Sequence, residues 1–127
     1  MSLERILYVE DEADIRTVAM MALEELGGFE VIECAEGHAA LAAAPAARAD
    51  LILLDVMMPG MDGLATLRAL RDMPHTASTP VIFMTAKVQA AEIAQCRALG
   101  ALGIIAKPFD PMELPLEIRR IWDSRAA

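Results

Sequence analysis

The sequence predicts an α/β fold, a doubly wound five-stranded parallel sheet with helices on both faces. Three observations predict it. Short Ile/Leu/Val-rich runs alternate with longer segments of helical periodicity, and strand–helix alternation builds a parallel sheet. Four of the five runs are almost continuously apolar, as strands covered on both faces are. Gly27-Gly28, Pro45 and Gly100 stand where the helical segments should stop.

The first strand is expected over Arg5–Val9. The first helix follows, with Ile15, Val18, Ala22 and Leu26 at helical spacing as its apolar stripe. Phe29–Glu33 is a more mixed run and suits a strand near the sheet edge. Glu36–Ala44 is Ala-rich and is expected to end as a helix at Pro45. Leu51–Leu54 is the third strand, and Gly63–Met73 the third helix, through Leu64, Leu67 and Leu70. Val81–Met84 is the fourth strand, followed by a helix over Val88–Leu99. Gly103–Ala106 is the fifth strand. The last helix should open at Asp110 as cap, with Pro111 in the first turn and Glu113 closing a capping box. Leu114, Ile118 and Ile121 form its stripe, and Pro115 should bend its first turns. Crossovers in such a sheet are right-handed, and its ligand site lies at the carboxyl ends of the strands.

The 127 residues fit one domain over 1–127. That length buries a core without the staples needed below roughly 40 residues. An apolar fraction of 56% argues for a folded chain. The net charge of −8 should repel DNA, RNA and anionic lipid, so no direct nucleic-acid contact is expected; solubility is the plainer account of the charge and carries most of the weight. Cys34 and Cys96 have neither CxxC nor zinc spacing and are expected as small buried hydrophobes. The lack of a disulfide framework suits the cytoplasm. No apolar run approaches the ~20 residues of a membrane span, and Met1–Arg5 has no signal-peptide core.

The residues that follow the strands carry the chemistry. The first strand leads into Glu10-Asp11-Glu12, the third into Asp55, the fourth into Thr85 and the fifth into Lys107. A parallel sheet brings these to one edge. Glu10, Asp11 and Asp55 would form a carboxylate cluster, costly without a cation, and Mg²⁺ prefers such oxygens. Asp55 suits a nucleophile that forms an acyl phosphate. Lys107 and Thr85 suit donors to phosphoryl oxygens. Plainer roles exist for each: an acidic helix start at Glu10-Asp11-Glu12, a turn at Asp55 before Pro59-Gly60, a loop lysine at Lys107. Their joint placement at successive strand ends is what favours a site. His38 and His75 are isolated and expected at the surface; Met57, Met58 and Met61 are expected to pack a loop.

Val9-Glu10-Asp11-Glu12, Leu54 through Gly63 (LDVMMPGMDG), Met84-Thr85-Ala86 and Lys107-Pro108-Phe109 together resemble the response-regulator receiver (CheY-like) family, in order and spacing, over essentially the whole chain. The resemblance implies a flavodoxin-like fold with strand order 2-1-3-4-5. It implies a cytoplasmic two-component signalling switch, not an enzyme in its own right. Asp55 would be the phospho-acceptor, served by a histidine kinase or phosphotransfer protein. Glu10, Asp11, Asp55 and the Met57 backbone carbonyl would surround Mg²⁺, and Lys107 and Thr85 would contact the phosphoryl group. A downstream protein would be met through the helix 4–strand 5–helix 5 face. Met57 and Lys87 would lie nearest the path of the water that hydrolyses the phosphoryl group. One position departs from the family: Ile104 stands where a Tyr or Phe is common, so the usual Thr–aromatic coupling is expected to be weakened or replaced. No effector domain follows within 1–127, which suits a stand-alone receiver and a piece of a longer protein alike.

Three rivals are weighed beside this. A phosphohydrolase with an aspartyl nucleophile would need a cap insertion, and none is long enough. A flavodoxin-type carrier would need a phosphate loop after the first strand, where Glu10-Asp11-Glu12 stands. A docking module that has lost phosphorylation is suggested by Ile104 alone.

Overall fold

A computed structural model describes residues 2–86 and 89–125. The elements run β1 (Arg5–Val9), α1 (Ala13–Met21, continued by a π-helical turn over Ala22–Leu26), β2 (Glu30–Cys34), α2 (Gly37–Ala47), β3 (Leu51–Asp55), α3 (Gly63–Arg71), β4 (Val81–Thr85), α4 (Ala90–Ala98), β5 (Gly103–Ala106) and α5 (Leu114–Ser124). The strands are all parallel, in the order β2-β1-β3-β4-β5.

Alternation along each strand divides the core between the two faces, because successive side chains point opposite ways. Ile6, Tyr8, Leu51, Leu53, Ile82, Met84 and Ile105 face α1 and α5, meeting Ala19, Leu23, Leu114, Ile118 and Trp122. Leu7, Val9, Ile52, Leu54, Val81 and Phe83 face the other three helices, meeting Ala40, Ala44, Leu67, Leu70 and Cys96. Every residue of β3 and β4 is buried, which is why these runs carry no polar alternation. Cys34 and Cys96 are free and buried, as expected, and His38 and His75 lie exposed.

Several expected details are corrected. β2 begins one residue later, because Phe29 closes the preceding helix, its amide donating to the Leu23 carbonyl, and buries its ring. The buried line of the first helix is Ala19, Ala22 and Leu23, while Val18 and Leu26 are exposed. Small Ala19 and Ala22 let the helix approach the sheet, and the widened π turn carries Leu26 round to solvent. α2 continues through Pro45 to Ala47. Pro45 is exposed and costs one helical hydrogen bond, while Ala44 and Ala47 on either side are buried; Arg48, left-handed at φ 49°, then ends the helix.

At α5 the expected capping box is replaced by a turn. The Asp110 carbonyl accepts from the Glu113 and Leu114 amides, and its side chain from the Met112 amide. The helix proper starts at Leu114. Pro115 is thus its second residue, where a backbone donor has no helical partner to lose, and the expected bend has no cause. β3 and β4 each run one residue further than expected, taking in Asp55 and Thr85, whereas α3 stops at Arg71. α4 starts at Ala90; Val88, its expected first residue, lies outside the described residues.

Candidate functional site

The chain runs from β1 out to β2 and then crosses back to β3. The crevice between β1 and β3 is therefore the topological switch point, where helices depart to opposite faces and leave the strand ends open. Glu10 follows β1, its amide held by the Cys34 carbonyl at 3.0 Å. Asp55 ends β3 in register with Met84. Thr85 ends β4, and its carbonyl accepts from the Lys107 amide at 2.9 Å. Backbone pairing thus places four site residues before any side chain contributes.

The loop after Asp55 is shaped by its own sequence. Gly60 takes φ +72°, a conformation that suits glycine. Asp62 caps α3 by accepting from the Ala65 amide at 2.8 Å. Gly63 packs so closely that a Cβ there would run into the Asp55 carbonyl oxygen.

Glu10, Asp55 and Thr85 are essentially without solvent exposure. Lys107 reaches into the cluster, its Nζ 2.9 Å from Glu10 Oε1 and 3.4 Å from Asp55 Oδ1. Asp55 Oδ1 also accepts from the Met57 amide at 3.3 Å. The Glu12 amide donates to Glu10 Oε2 at 3.1 Å, and Arg16 donates to the Glu10 carbonyl at 2.7 Å. Burial and the neighbouring Glu10 charge push the Asp55 carboxyl up to about 7, against the opposing pull of Lys107. For Lys107, burial favours the neutral amine, but the hydrogen bond to Glu10 and the Asp55 and Glu10 charges outweigh it, so its pKa is raised.

The donor set fits a hard cation. Glu10, Asp11 and Asp55 each present an oxygen, all within 4.8 Å of one another. Asp55 Oδ2 and Asp11 Oδ1 are buried without a hydrogen-bond partner. Buried carboxylate oxygens in that condition are costly, and a small divalent cation is what oxygen ligands of this kind select.

Of the expected site residues, Glu10, Asp11, Asp55 and Lys107 come together directly. Thr85 stands at the same edge, but its hydroxyl donates to Glu92 Oε1 of α4 at 2.6 Å. Met57 is about half exposed and joins Ile15, Val18 and Phe109 around a cleft of roughly 530 Å³ that opens on Asp55 and Lys107. Ile104 packs, half-buried, against the α2–α3–α4 side of the core. Lys87 lies outside the described residues. Sequence reasoning missed Arg16 and Glu92. Neither carries a local signal, since each looks like an ordinary polar residue of a helix.

Fold and site define an open parallel α/β protein with a buried acidic centre at its switch point. The chain belongs to the response regulator receiver domain family, whose model matches residues 6–119; this is the phospho-accepting module of two-component signalling. It is 39% identical over 117 residues to the transcriptional regulatory protein ResD of Bacillus subtilis, covering 92% of this chain and 47% of that protein. It is 38% identical over 116 residues to the phosphate regulon regulator PhoB of Pseudomonas aeruginosa, covering 91% of this chain and 50% of that one. The chain spans about half the length of these curated relatives. Among solved structures, Vibrio cholerae chemotaxis protein CheY4 superposes with a TM-score of 0.87 at 33% identity, covering 94% of this chain and 99% of that one.

Proposed function

We propose that Asp55 accepts a phosphoryl group from a histidine kinase or phosphotransfer protein, and that residues 1–127 act as one cytoplasmic receiver domain that signals rather than processes a substrate. The observation that carries this is Asp55 itself: a buried carboxylate with one oxygen held by Lys107 and the Met57 amide, and the other without a partner beside Glu10 and Asp11. A carboxylate oxygen of Asp55 attacks phosphorus as the bond to the donor nitrogen breaks. Lys107 then holds a phosphoryl oxygen as a point charge, and Thr85 supplies a hydroxyl to another. Glu10, Asp11 and Asp55, with the Met57 carbonyl, would hold Mg²⁺, which supplies charge neutralisation during transfer.

The net charge of −8 disfavours nucleic acid as a direct partner of this domain. ResD and PhoB are named as transcriptional regulators; on the present reading any DNA contact lies outside the receiver, and the downstream protein docks on α4, β5 and α5. Incubation with phosphoramidate or acetyl phosphate and Mg²⁺ should add a single phosphoryl mass, abolished in Asp55→Asn and by excess EDTA. An undiminished adduct in either case overturns the assignment.

A further inference from the structure

The hydroxyl that should grip the phosphoryl group is already engaged. Thr85 Oγ1 donates to Glu92 Oε1 at 2.6 Å, across part-buried surroundings. A threonine hydroxyl has one proton to donate. It can go to the Glu92 carboxylate or to a phosphoryl oxygen, not to both. The acceptor it now serves is an ionisable carboxylate, and bonds to charged acceptors are short and stronger than neutral ones.

Glu92 lies in the first turn of α4. Within that helix Cys96 is the buried residue, and the first-turn neighbours Ala90 and Ala91 are exposed. Ile93 is half-buried, and the Thr85–Glu92 bond is the polar tie seen between the first turn of α4 and the sheet edge among the described residues. Ile104, half-buried on the neighbouring strand, has no ring or hydroxyl with which to follow Thr85.

We propose that Glu92 is a carboxylate latch: it holds Thr85 away from the phosphoryl site in the resting protein and passes the switch to α4 when Thr85 is drawn to phosphorylated Asp55. This rests on the phospho-acceptor reading of Asp55. Two negatively charged acceptors, Glu92 and the phosphoryl group, compete for one proton. Release of Glu92 uncouples the start of α4, so the signal leaves through a helix instead of an aromatic side chain. Glu92 acts here as a positioning residue, working through Thr85.

The test is a titration of the Mg²⁺-loaded protein with beryllofluoride, a phosphoryl mimic, followed by NMR. A resting state held in the wrong conformer lowers apparent affinity by the competent fraction. Glu92→Ala should bind the mimic roughly three- to tenfold more tightly, given the usual worth of a charge-assisted bond. Glu92→Gln keeps the helix and a weaker acceptor, so it should fall between. In the unloaded Glu92→Ala protein the Thr85 methyl resonance should already move toward its loaded position. In a Thr85→Val background, which has no hydroxyl to release, Glu92→Ala should give no gain. Uptake by the wild type with no gain in either Glu92 variant overturns the latch alone. An equal gain in the Thr85→Val background also overturns it, because the effect then bypasses the hydroxyl. Absence of uptake by the wild type overturns the phospho-acceptor reading, and the latch with it.

Discussion

Asp55 shows what position does to an ordinary side chain. Its carboxyl is pushed up to about 7 by burial and by Glu10, and one of its oxygens lacks a partner. Without metal this residue opposes folding at neutral pH. The unfolded carboxyl titrates near 3.8, so between about pH 4 and 7 the native state holds a proton that the unfolded chain has lost, and stability falls as pH rises through that window. In EDTA, Asp55→Asn should therefore melt higher than wild type at about pH 8, with the gap narrowing toward about pH 5. A thermal melt series checks this; a gap that widens at low pH has the wrong sign. A second residue-scale expectation concerns lifetime. Met57 is exposed at the mouth of the site and cannot orient a water by a strong hydrogen bond, and Lys87, as a cation, cannot accept the water's proton. Met57→Asn with Lys87→Glu should speed phosphoryl loss by roughly one to two orders of magnitude, less than full acid–base catalysis can supply. Intact mass followed after donor removal measures the decay.

The same economy of space appears in how the elements meet. The first helix reaches the sheet through Ala19 and Ala22 beside Leu23, and α2 through Ala40, Ala44 and Ala47, so small side chains share in setting the inward helical face. α3 is seated by Gly63 against the end of β3, where a Cβ would meet the Asp55 carbonyl and the Val56 Cα. Both obstacles are backbone and cannot rotate away. Gly63→Ala should cost about 1–3 kcal/mol, the usual range for forced overpacking, read as a lower urea midpoint at unchanged slope. It should also slow phosphorylation, since relief of the clash moves Asp55. On the opposite face α5 is pinned to the turn between the first helix and β2 by Arg119, which donates to the Gly27 carbonyl at 2.9 Å and lies over the Phe29 ring at 4.4 Å. That tie is partly exposed and worth less than the buried contact at Gly63.

For the molecule as a whole, the acidic centre couples ligand binding to stability. Three carboxylates gathered at the switch point repel one another, and a cation that binds only the native state adds RT ln(1 + [L]/Kd). At tenfold excess over Kd that is about 1.4 kcal/mol, a few degrees in a domain of this size. Millimolar Mg²⁺ should raise the midpoint accordingly, and Asp11→Ala should remove the shift. Identical midpoints with and without Mg²⁺ would argue against a metal centre.

The sequence by itself determined the architecture and most of the site. The apolar runs that became β3 and β4 are buried on both faces, so they had to be written almost wholly in Ile, Leu, Val, Phe and Met, and such runs are visible without coordinates. Parallel topology then put Glu10, Asp55, Thr85 and Lys107 at one edge, because each ends or follows a strand. Tertiary structure decided what local pattern leaves open. Ile15, Val18, Ala22 and Leu26 and the line Ala19, Ala22, Leu23 are both helical stripes; only contact with the sheet, and the π turn, selected the second. Pro45 reads as the end of a helix, yet α2 runs through it to Ala47, where Ala44 and Ala47 are buried; Pro115 reads as bending the first turns of the last helix, yet the turn at Asp110 starts α5 at Leu114 and leaves Pro115 no helical bond to lose. The Thr85–Glu92 bond joins a strand end to a helix that packs back beside it. No periodicity encodes such a contact, since it depends on the angle at which α4 crosses the sheet.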